Sequence, residues 1–140
     1  MYENREAMRP RALLVACDTG EYDVESSLAE LYALARTAGA EPFGSMTQKR
    51  VSPDTATCVG SGMVEEIAQF CKAHEIELLL FDCELTPTQV RNLEALCGVR
   101  AVDRTALILD IFAKNARTKE GRLQVELAQL QYLLPRLSGR

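Results

Sequence analysis

The sequence predicts an α/β fold, a small parallel sheet with flanking helices, followed by one long C-terminal helix of the coiled-coil type. Between residues 11 and 103, short apolar runs alternate with segments whose apolar residues recur at helical spacing, which is typical of a parallel sheet covered by helices. From residue 105 onward a heptad pattern replaces this alternation. We therefore divide the 140 residues into an α/β subdomain, 1–103, and a long helix, 104–140.

The first three elements are a strand, a helix and a weaker strand. Residues 11–17 form a continuous apolar run that ends at the turn Asp18-Thr19-Gly20, as expected for a strand buried on both faces. Leucine and alanine then recur at helical spacing from about Asp23 to Ala38. The segment 41–48 is a weaker strand, in which Gly44 indicates a bulge or a close backbone approach.

The remaining elements of the subdomain repeat the alternation. The apolar run that ends at Phe81 is the clearest strand, and Thr86-Pro87 is a strong helix start, with Thr86 as N-cap and Pro87 as the first helical residue. The predicted spans are 56–59 (strand), about 63–74 (helix), 76–81 (strand), 87–97 (helix) and 99–102 (strand).

Four residues directly follow predicted strands: Asp18, Gly60, Asp82 and Asp103. Right-handed crossovers place the C-terminal ends of parallel strands at one edge of the sheet, where open α/β sheets bind ligands. Asp18 and Asp82 could form an acidic metal or phosphoacceptor pocket. We favour the simpler interpretation that each caps a neighbouring turn or helix, and we predict no metal site.

The turn Gly60-Ser61-Gly62 is the candidate nucleotide-binding site. Two glycines and a small hydroxyl expose backbone N–H groups at a helix start, which suits a phosphate. A tight strand-to-helix turn explains the same residues, and we favour it. Glu65 and Glu66, which we place in the first turn of that helix, would repel an anion.

Composition and motifs disfavour several kinds of site. The five cysteines contain no CxxC pair, so we expect buried small hydrophobic residues rather than a disulfide framework or a zinc site. His74 is the only histidine, which nearly excludes a His-based triad. Cys83 lies between two acids that would raise its pKa, so a nucleophilic role is disfavoured. No GxxxxGK followed by Ser or Thr occurs, so we predict no catalytic residues and no P-loop GTPase activity in this chain.

No part of the sequence resembles a membrane span or a secretion signal. No apolar run approaches the roughly 18 residues that a membrane-spanning helix needs. The first six residues are polar and form no signal-peptide core. We therefore expect a soluble, cytoplasmic protein.

Charge is distributed unevenly. The net charge is −4, but residues 1–103 carry nine basic and 17 acidic side chains, whereas residues 104–140 carry seven basic and three acidic. A polyanionic partner would meet the C-terminal segment first. Four basic residues there could contact nucleic-acid phosphates or form a solvated helix face, and both interpretations stay open. They are Lys114, Arg117, Lys119 and Arg122.

The C-terminal heptad pattern predicts one helix from about Thr105 to Leu134. Gly121 weakens this helix by about 1 kcal/mol, and Pro135 should kink or end it. Such a one-sided leucine seam needs a partner surface, so we expect a homodimer through the same helix of a second chain. The alternative is that the helix folds back on its own α/β body or frays beyond Gly121. The seam positions are Ala106, Leu109, Ala113, Ala116, Glu120, Leu123, Leu127, Leu130, Leu134 and Leu137.

Several strings of the sequence resemble the HflX family of ribosome-associated GTPases. Residues 103–113, DRTALILDIFA, are similar to the family's DRT-LILDIFA string, and residues 116–137 resemble its next string nearly residue for residue. Upstream, VGSG at 59–62, Phe81-Asp82 and LTPTQVRNLE at 85–94 also fit. The resemblance covers about residues 11–138.

The resemblance implies the N-terminal domain of such a GTPase, an α/β subdomain followed by the first arm of a two-helix hairpin. It implies a chain cut near the hairpin turn, with a GTPase domain that binds GTP and Mg²⁺ beyond it. It also implies binding to the large ribosomal subunit and its rRNA, ribosome splitting or stress recovery, and a second nucleotide site, ATP included. Where the family often has Lys after the GSG turn, this chain has Met63, which weakens the phosphate interpretation.

A different function also fits the α/β part, that of a small nucleotide- or phosphate-responsive regulatory domain of receiver or flavodoxin type. A receiver needs a basic residue after its last strand, for which Arg104 is a loose substitute. It would also end near residue 120 with an ordinary amphipathic helix. The heptad seam beyond that point favours the first hypothesis.

Overall fold

The computed structural model describes residues 9–116 and 118–138, with side chains up to residue 134. This part of the chain contains four strands and five helices in alternating order. They are β1 (Arg11–Asp18), α1 (Val24–Thr37), β2 (Glu41–Lys49), α2 (Ser61–His74), β3 (Leu78–Phe81), α3 (Pro87–Cys97), β4 (Arg100–Asp103), α4 (Arg104–Asn115) and α5 (Lys119–Ser138).

The four strands form one parallel sheet in the order β2-β1-β3-β4. The chain leaves β1 for one side and then crosses to β3 on the other, so the strand order reverses between β1 and β3. The β1–β2 register shifts between Ala12 and Leu13, which pair with Pro42 and Gly44. The bulge predicted from Gly44 is therefore confirmed.

The sheet has a hydrophobic core on each face, because successive β1 side chains point to opposite sides. Leu13 and Val15 pack with the buried side chains of α2 and α3. Leu14 packs with those of α1 and α4, including Leu107 and Ile111. Each such burial stabilises the fold by about 1.5–3 kcal/mol. The predicted fold class is confirmed as a three-layer α/β/α arrangement with a long last helix.

The strand predicted at residues 56–59 is wrong. This segment is a turn in which Asp54 and Cys58 exchange two backbone hydrogen bonds of 2.9 and 2.8 Å. The Asp54 carboxylate accepts from the N–H groups of Ala56 and Thr57 at 2.8 and 3.1 Å. An aspartate that bonds its own following backbone in this way favours a turn over a ladder.

The single helix predicted from Thr105 to Leu134 is also wrong. Helix α4 ends at Asn115, and Ala116 is extended with φ −69° and ψ 125°. Helix α5 then begins with Thr118 as its cap, since the Thr118 hydroxyl oxygen accepts from Gly121 N–H at 2.9 Å. A Cβ at position 121 would lie 2.9 Å from that oxygen, so the glycine makes room for the cap.

Helix α5 runs back along α4 and also contacts α3. Tyr132 of α5 donates a hydrogen bond to Asp103, the residue before α4. The leucine seam nevertheless faces outward, with exposed fractions from 54% at Leu130 to 58% at Leu134. Leu137 lies outside the side chains that the structure describes. The division of the chain at 103/104 stays a prediction. Helix α4 lies beyond this boundary, yet its Leu107 and Ile111 pack on the sheet.

Candidate functional site

The strand order reverses between the C-terminal ends of β1 and β3, and we refer to this part of the sheet edge as the crevice. In an open α/β sheet such a reversal is the usual place for a ligand. Asp18 at the end of β1 and Tyr22 in the following loop lie on one side of the crevice, and the loop after β3 contributes Asp82 and Cys83. Among the described residues, no group of three or more His, Cys, Asp or Glu side chains is arranged to hold a metal ion.

Asp82 is the buried acid of this crevice. Its Oδ2 accepts from the hydroxyls of Tyr22 at 2.8 Å and Ser27 at 3.2 Å. Its Oδ1 is buried without a hydrogen-bond partner. Burial raises the pKa of Asp82, although these two hydrogen bonds oppose the shift. Burial and the bond to Asp82 likewise raise the pKa of Tyr22.

The predicted capping roles of the two acids differ in outcome. Asp18 does cap its turn, with Oδ1 accepting from Gly20 N–H at 2.9 Å. Asp82 caps neither a turn nor a helix, since its hydrogen bonds come from side chains of α1 and the preceding loop. The capping interpretation is therefore wrong for Asp82. Its polarity was readable from the sequence, but its partners lie 55 and 60 residues away.

Arg104 ties the first turn of α4 to α1 beside the crevice. Its guanidinium donates to the hydroxyl of Ser27 at 3.2 Å and forms an ion pair with Glu30. Its positive charge also acts to lower the Asp82 pKa. On the α1 side, the crevice is thus bordered by a connected set of polar groups.

Three thiols lie on the other side of Asp82. The Sγ atoms of Cys58 and Cys83 are 3.3 Å apart, and Cys17 lies near enough to Cys58 for each thiol to affect the pKa of the other. The hydrogen bond from Cys58 lowers the pKa of Cys83, against burial and the charge of Asp82. Asp82 acts to raise this pKa, as the sequence predicted, but the hydrogen bond with Cys58 outweighs it, so the Cys83 pKa is lowered rather than raised.

The Gly60-Ser61-Gly62 turn lies at the N-terminus of α2, beside the end of β2. Gly60 is the helix N-cap and receives no side-chain capping bond, while its N–H donates to Gln48 Oε1 at 2.8 Å. A Cβ on Gly60 would lie 3.0 Å from an Arg50 guanidinium nitrogen. The first turn of α2 contains no acid, so the placement of Glu65 and Glu66 there is wrong, because the helix begins two residues earlier than predicted.

The four basic residues do not share one helix. Lys114 lies in the last turn of α4, where its Nζ donates to the carbonyl of Ala38 at 3.1 Å and pairs with Asp110 at 3.2 Å. Lys119 and Arg122 are exposed in the first turns of α5. Arg117 lies outside the described residues. The structure thus brings the three described residues to both sides of the α4–α5 junction.

Comparison with known proteins identifies related sequences over most of the chain. The family profile described as GTP-binding GTPase N-terminal matches residues 25–113, and that of the GTP-binding GTPase Middle Region matches residues 115–140. The GTPase HflX of Alkalihalophilus pseudofirmus is 50% identical over 130 residues, which cover 91% of this chain and 31% of the relative. The GTPase HflX of Caldanaerobacter subterraneus is 53% identical over 131 residues, with 94% and 30% covered.

A solved structure shares the fold. A GTP-binding protein from Sulfolobus solfataricus, determined in complex with GDP, matches with a TM-score of 0.70 and 27% identity over 94% of this chain and 39% of that chain. The chain spans about 30% of the length of the two HflX relatives named above. Among the described residues, no helix combines the length and the apolarity that crossing a membrane requires.

Proposed function

The chain belongs to the HflX family of GTP-binding proteins, of which it represents the N-terminal region, and from this premise we propose that it is a module that binds the large ribosomal subunit. Its surface would contact rRNA through the α4–α5 junction. For the whole protein we propose a cytoplasmic GTPase that acts in ribosome splitting or stress recovery. Because the family is established, a receiver or flavodoxin type of regulatory domain is not proposed.

The observation that carries this proposal is the separation of charge between the α/β body and the C-terminal segment, which contains the junction. The α/β part has a surplus of acids, which repels RNA phosphates, whereas residues 104–140 have a surplus of four positive charges. Lys119 and Arg122 are exposed there and have room to contact phosphates. Lys114 is partly engaged with Ala38 and Asp110, so it contributes less.

The residues of this chain do not fit GTP and Mg²⁺ as a P-loop would hold them. The Gly60-Ser61-Gly62 turn is followed by Met63, which supplies neither a cation for the phosphates nor a hydroxyl for Mg²⁺. We therefore assign GTP and Mg²⁺ to another part of the protein. For the turn itself we propose a weaker phosphate contact with a nucleotide such as ATP, supported by Arg50 beside it.

Self-association through α5 is a further part of the proposal. Leu123, Leu127, Leu130 and Leu134 are each more than half exposed on this helix. A continuous leucine stripe is more apolar than monomers normally leave in contact with water. A second copy of α5, packed antiparallel, would cover it with a two-fold interface.

Co-sedimentation with separated ribosomal subunits tests the proposed partner. The purified chain should pellet with large subunits and stay in the supernatant with small subunits at the same ionic strength. Both subunits expose rRNA, so the small subunit controls for unspecific attraction to phosphate. Equal pelleting with the two subunits, or none with either, would overturn the proposal.

A further inference from the structure

The thiols of Cys58 and Cys83 face each other beside the crevice, at the contact between the loop before α2 and the loop after β3. Their Sγ atoms are 3.3 Å apart, whereas a disulfide bond is about 2.05 Å long. The two sulfur atoms therefore need to approach by only about 1.3 Å. We propose that Cys58 and Cys83 are an oxidative modification site, a dithiol that hydrogen peroxide converts to a disulfide.

The loop that carries Cys58 is held in place by groups other than the thiols. Gln89 of α3 donates to the carbonyl of Asp54 at 2.7 Å, and Asn92 donates to the carbonyl of Ala56 at 2.9 Å. The two bonds between Asp54 and Cys58 close the turn. Because α3 fixes this loop from outside, the thiols stay close to each other whether or not they are bonded.

The backbone of Cys58 directs its side chain to this position. Its φ is +68°, one of two positive φ values among the described non-glycine residues. A side chain in this left-handed region costs of order 1–3 kcal/mol, and such residues cluster at functional sites. The cysteine is held in an unfavourable conformation by the same Asp54 turn that places its sulfur against Cys83.

The Cys83 loop is also anchored by groups other than the thiols, among them the same Gln89. Leu85 N–H donates to Asp103 Oδ2 at 2.8 Å, and Thr86 N–H donates to Gln89 Oε1 at 2.8 Å in the capping box of α3. Cys83 is partly exposed, whereas Cys58 is 1% exposed. A small oxidant therefore reaches Cys83 first. The hydrogen bond from Cys58 lowers the Cys83 pKa, which favours the nucleophilic thiolate.

The chemistry balances with peroxide as the only co-reactant. The Cys83 thiolate attacks one peroxide oxygen, so that an S–O bond forms and the O–O bond breaks, and hydroxide leaves as water after taking up the Cys83 proton. Cys58 sulfur then attacks Cys83 sulfur. The S–S bond forms, the S–O bond breaks, and the leaving hydroxide takes the Cys58 proton to become a second water. The two thiols lose two electrons, and hydrogen peroxide gains them.

The modification would join the two candidate sites at the carboxyl edge of the sheet. Cys58 lies two residues before the N-cap of α2, and Cys83 follows the buried Asp82. The disulfide would tie the Gly60-Ser61-Gly62 turn to the crevice rim. All five cysteines are free thiols in the structure, so the fold does not depend on a disulfide. We therefore expect the Cys58–Cys83 disulfide to be a modification that dithiol reductants reverse, not a structural bond.

The test is a disulfide map of the purified chain treated with a slight excess of hydrogen peroxide. Free thiols are blocked with N-ethylmaleimide, and non-reduced peptides are analysed by mass spectrometry. Before blocking, we expect an intact mass lower by two hydrogen atoms. After blocking, we expect one linked pair that contains Cys58 and Cys83, and full reversal by dithiothreitol. Cys71 and Cys97 should remain alkylated, as internal controls within the same core.

Three variants separate the proposed pair from its neighbours. Cys83→Ser should abolish the mass loss while keeping the native circular dichroism spectrum, and Cys17→Ser should leave the link intact. Asn92→Ala, which frees the loop without touching a thiol, should slow its formation. A dominant link through Cys17, or oxidation of Cys83 to the sulfinic acid without a disulfide, would overturn the proposal.

Discussion

Replacing Asp103 by Asn should destabilise the fold through the removal of a single acceptor. The two oxygens of this carboxylate serve three donors, which come from different elements. Oδ1 accepts from Ala106 N–H at 3.0 Å as the cap of α4. Oδ2 accepts from Leu85 N–H at 2.8 Å and from the Tyr132 hydroxyl. Asp103 and Leu85 are 2% and 1% exposed, so water does not reach this cluster freely.

An asparagine has only one acceptor oxygen, so in either rotamer one backbone N–H faces an NH₂ group. If the oxygen keeps the cap, the buried Leu85 N–H loses its hydrogen bond to Oδ2. Losing such a buried hydrogen bond costs about 1–3 kcal/mol, and we expect the free energy of unfolding of Asp103→Asn to fall by about that amount. Asp103→Ala loses the cap as well, and should cost about 1 kcal/mol more.

Urea unfolding followed by circular dichroism measures these differences. Asp23→Asn is the matched control, because Asp23 caps α1 in the same way but lies exposed, and Asn caps a helix as well as Asp. This control should unfold at the wild-type midpoint. A wild-type midpoint for Asp103→Asn would refute the reasoning that three donors depend on this carboxylate.

Three further predictions concern the crevice, the leucine stripe and the glycine turn. Burial raises the Asp82 pKa, so the native state keeps a proton that the unfolded chain loses above about pH 4. The free energy of unfolding should therefore fall as pH rises from about 4 to the raised pKa of the native state. Asp82→Asn should remove this fall in urea titrations at a series of pH values, and equal slopes would contradict it. Sedimentation velocity should show concentration-dependent dimers, and the double variant Leu127→Glu with Leu130→Glu should abolish them. The control Leu96→Glu, at an equally exposed leucine of α3, should leave the dimers intact. A monomer at every concentration would exclude the α5 dimer. Titration with ATP should shift the backbone amide resonances of Gly60, Ser61 and Gly62, and unshifted resonances would assign the turn a purely structural role.

Much of the fold was predictable because local signals agreed with tertiary structure. Thr86 and Pro87 mark the start of α3, where Thr86 and Gln89 form a full capping box, and the apolar run through residues 78–81 is the buried strand β3. The break before α5 was missed because the heptad spacing continues through it. Thr118 followed by Glu120 in the first turn is an N-cap signal that was available in the sequence.

The site was less predictable, because its contacts join distant segments. Cys58 and Cys83 are 25 residues apart and meet only because the Asp54 turn replaces the predicted strand. Tyr22 reaches Asp82 across the crevice over 60 residues. No spacing rule connects such pairs, whereas the four basic residues were visible as a cluster along the chain.

The salt dependence of binding to large ribosomal subunits tests the central claim most directly. Lys119→Glu with Arg122→Glu removes two exposed cations at the junction, and Arg36→Glu with Lys72→Glu makes the same charge change on the α/β body. The slope of log K against log salt should become less steep by about one for each phosphate that the variant no longer neutralises. We predict this flattening, with weaker binding, for the junction variant and the wild-type slope for the body variant. A wild-type slope in the junction variant would contradict the proposal that α4–α5 binds phosphates.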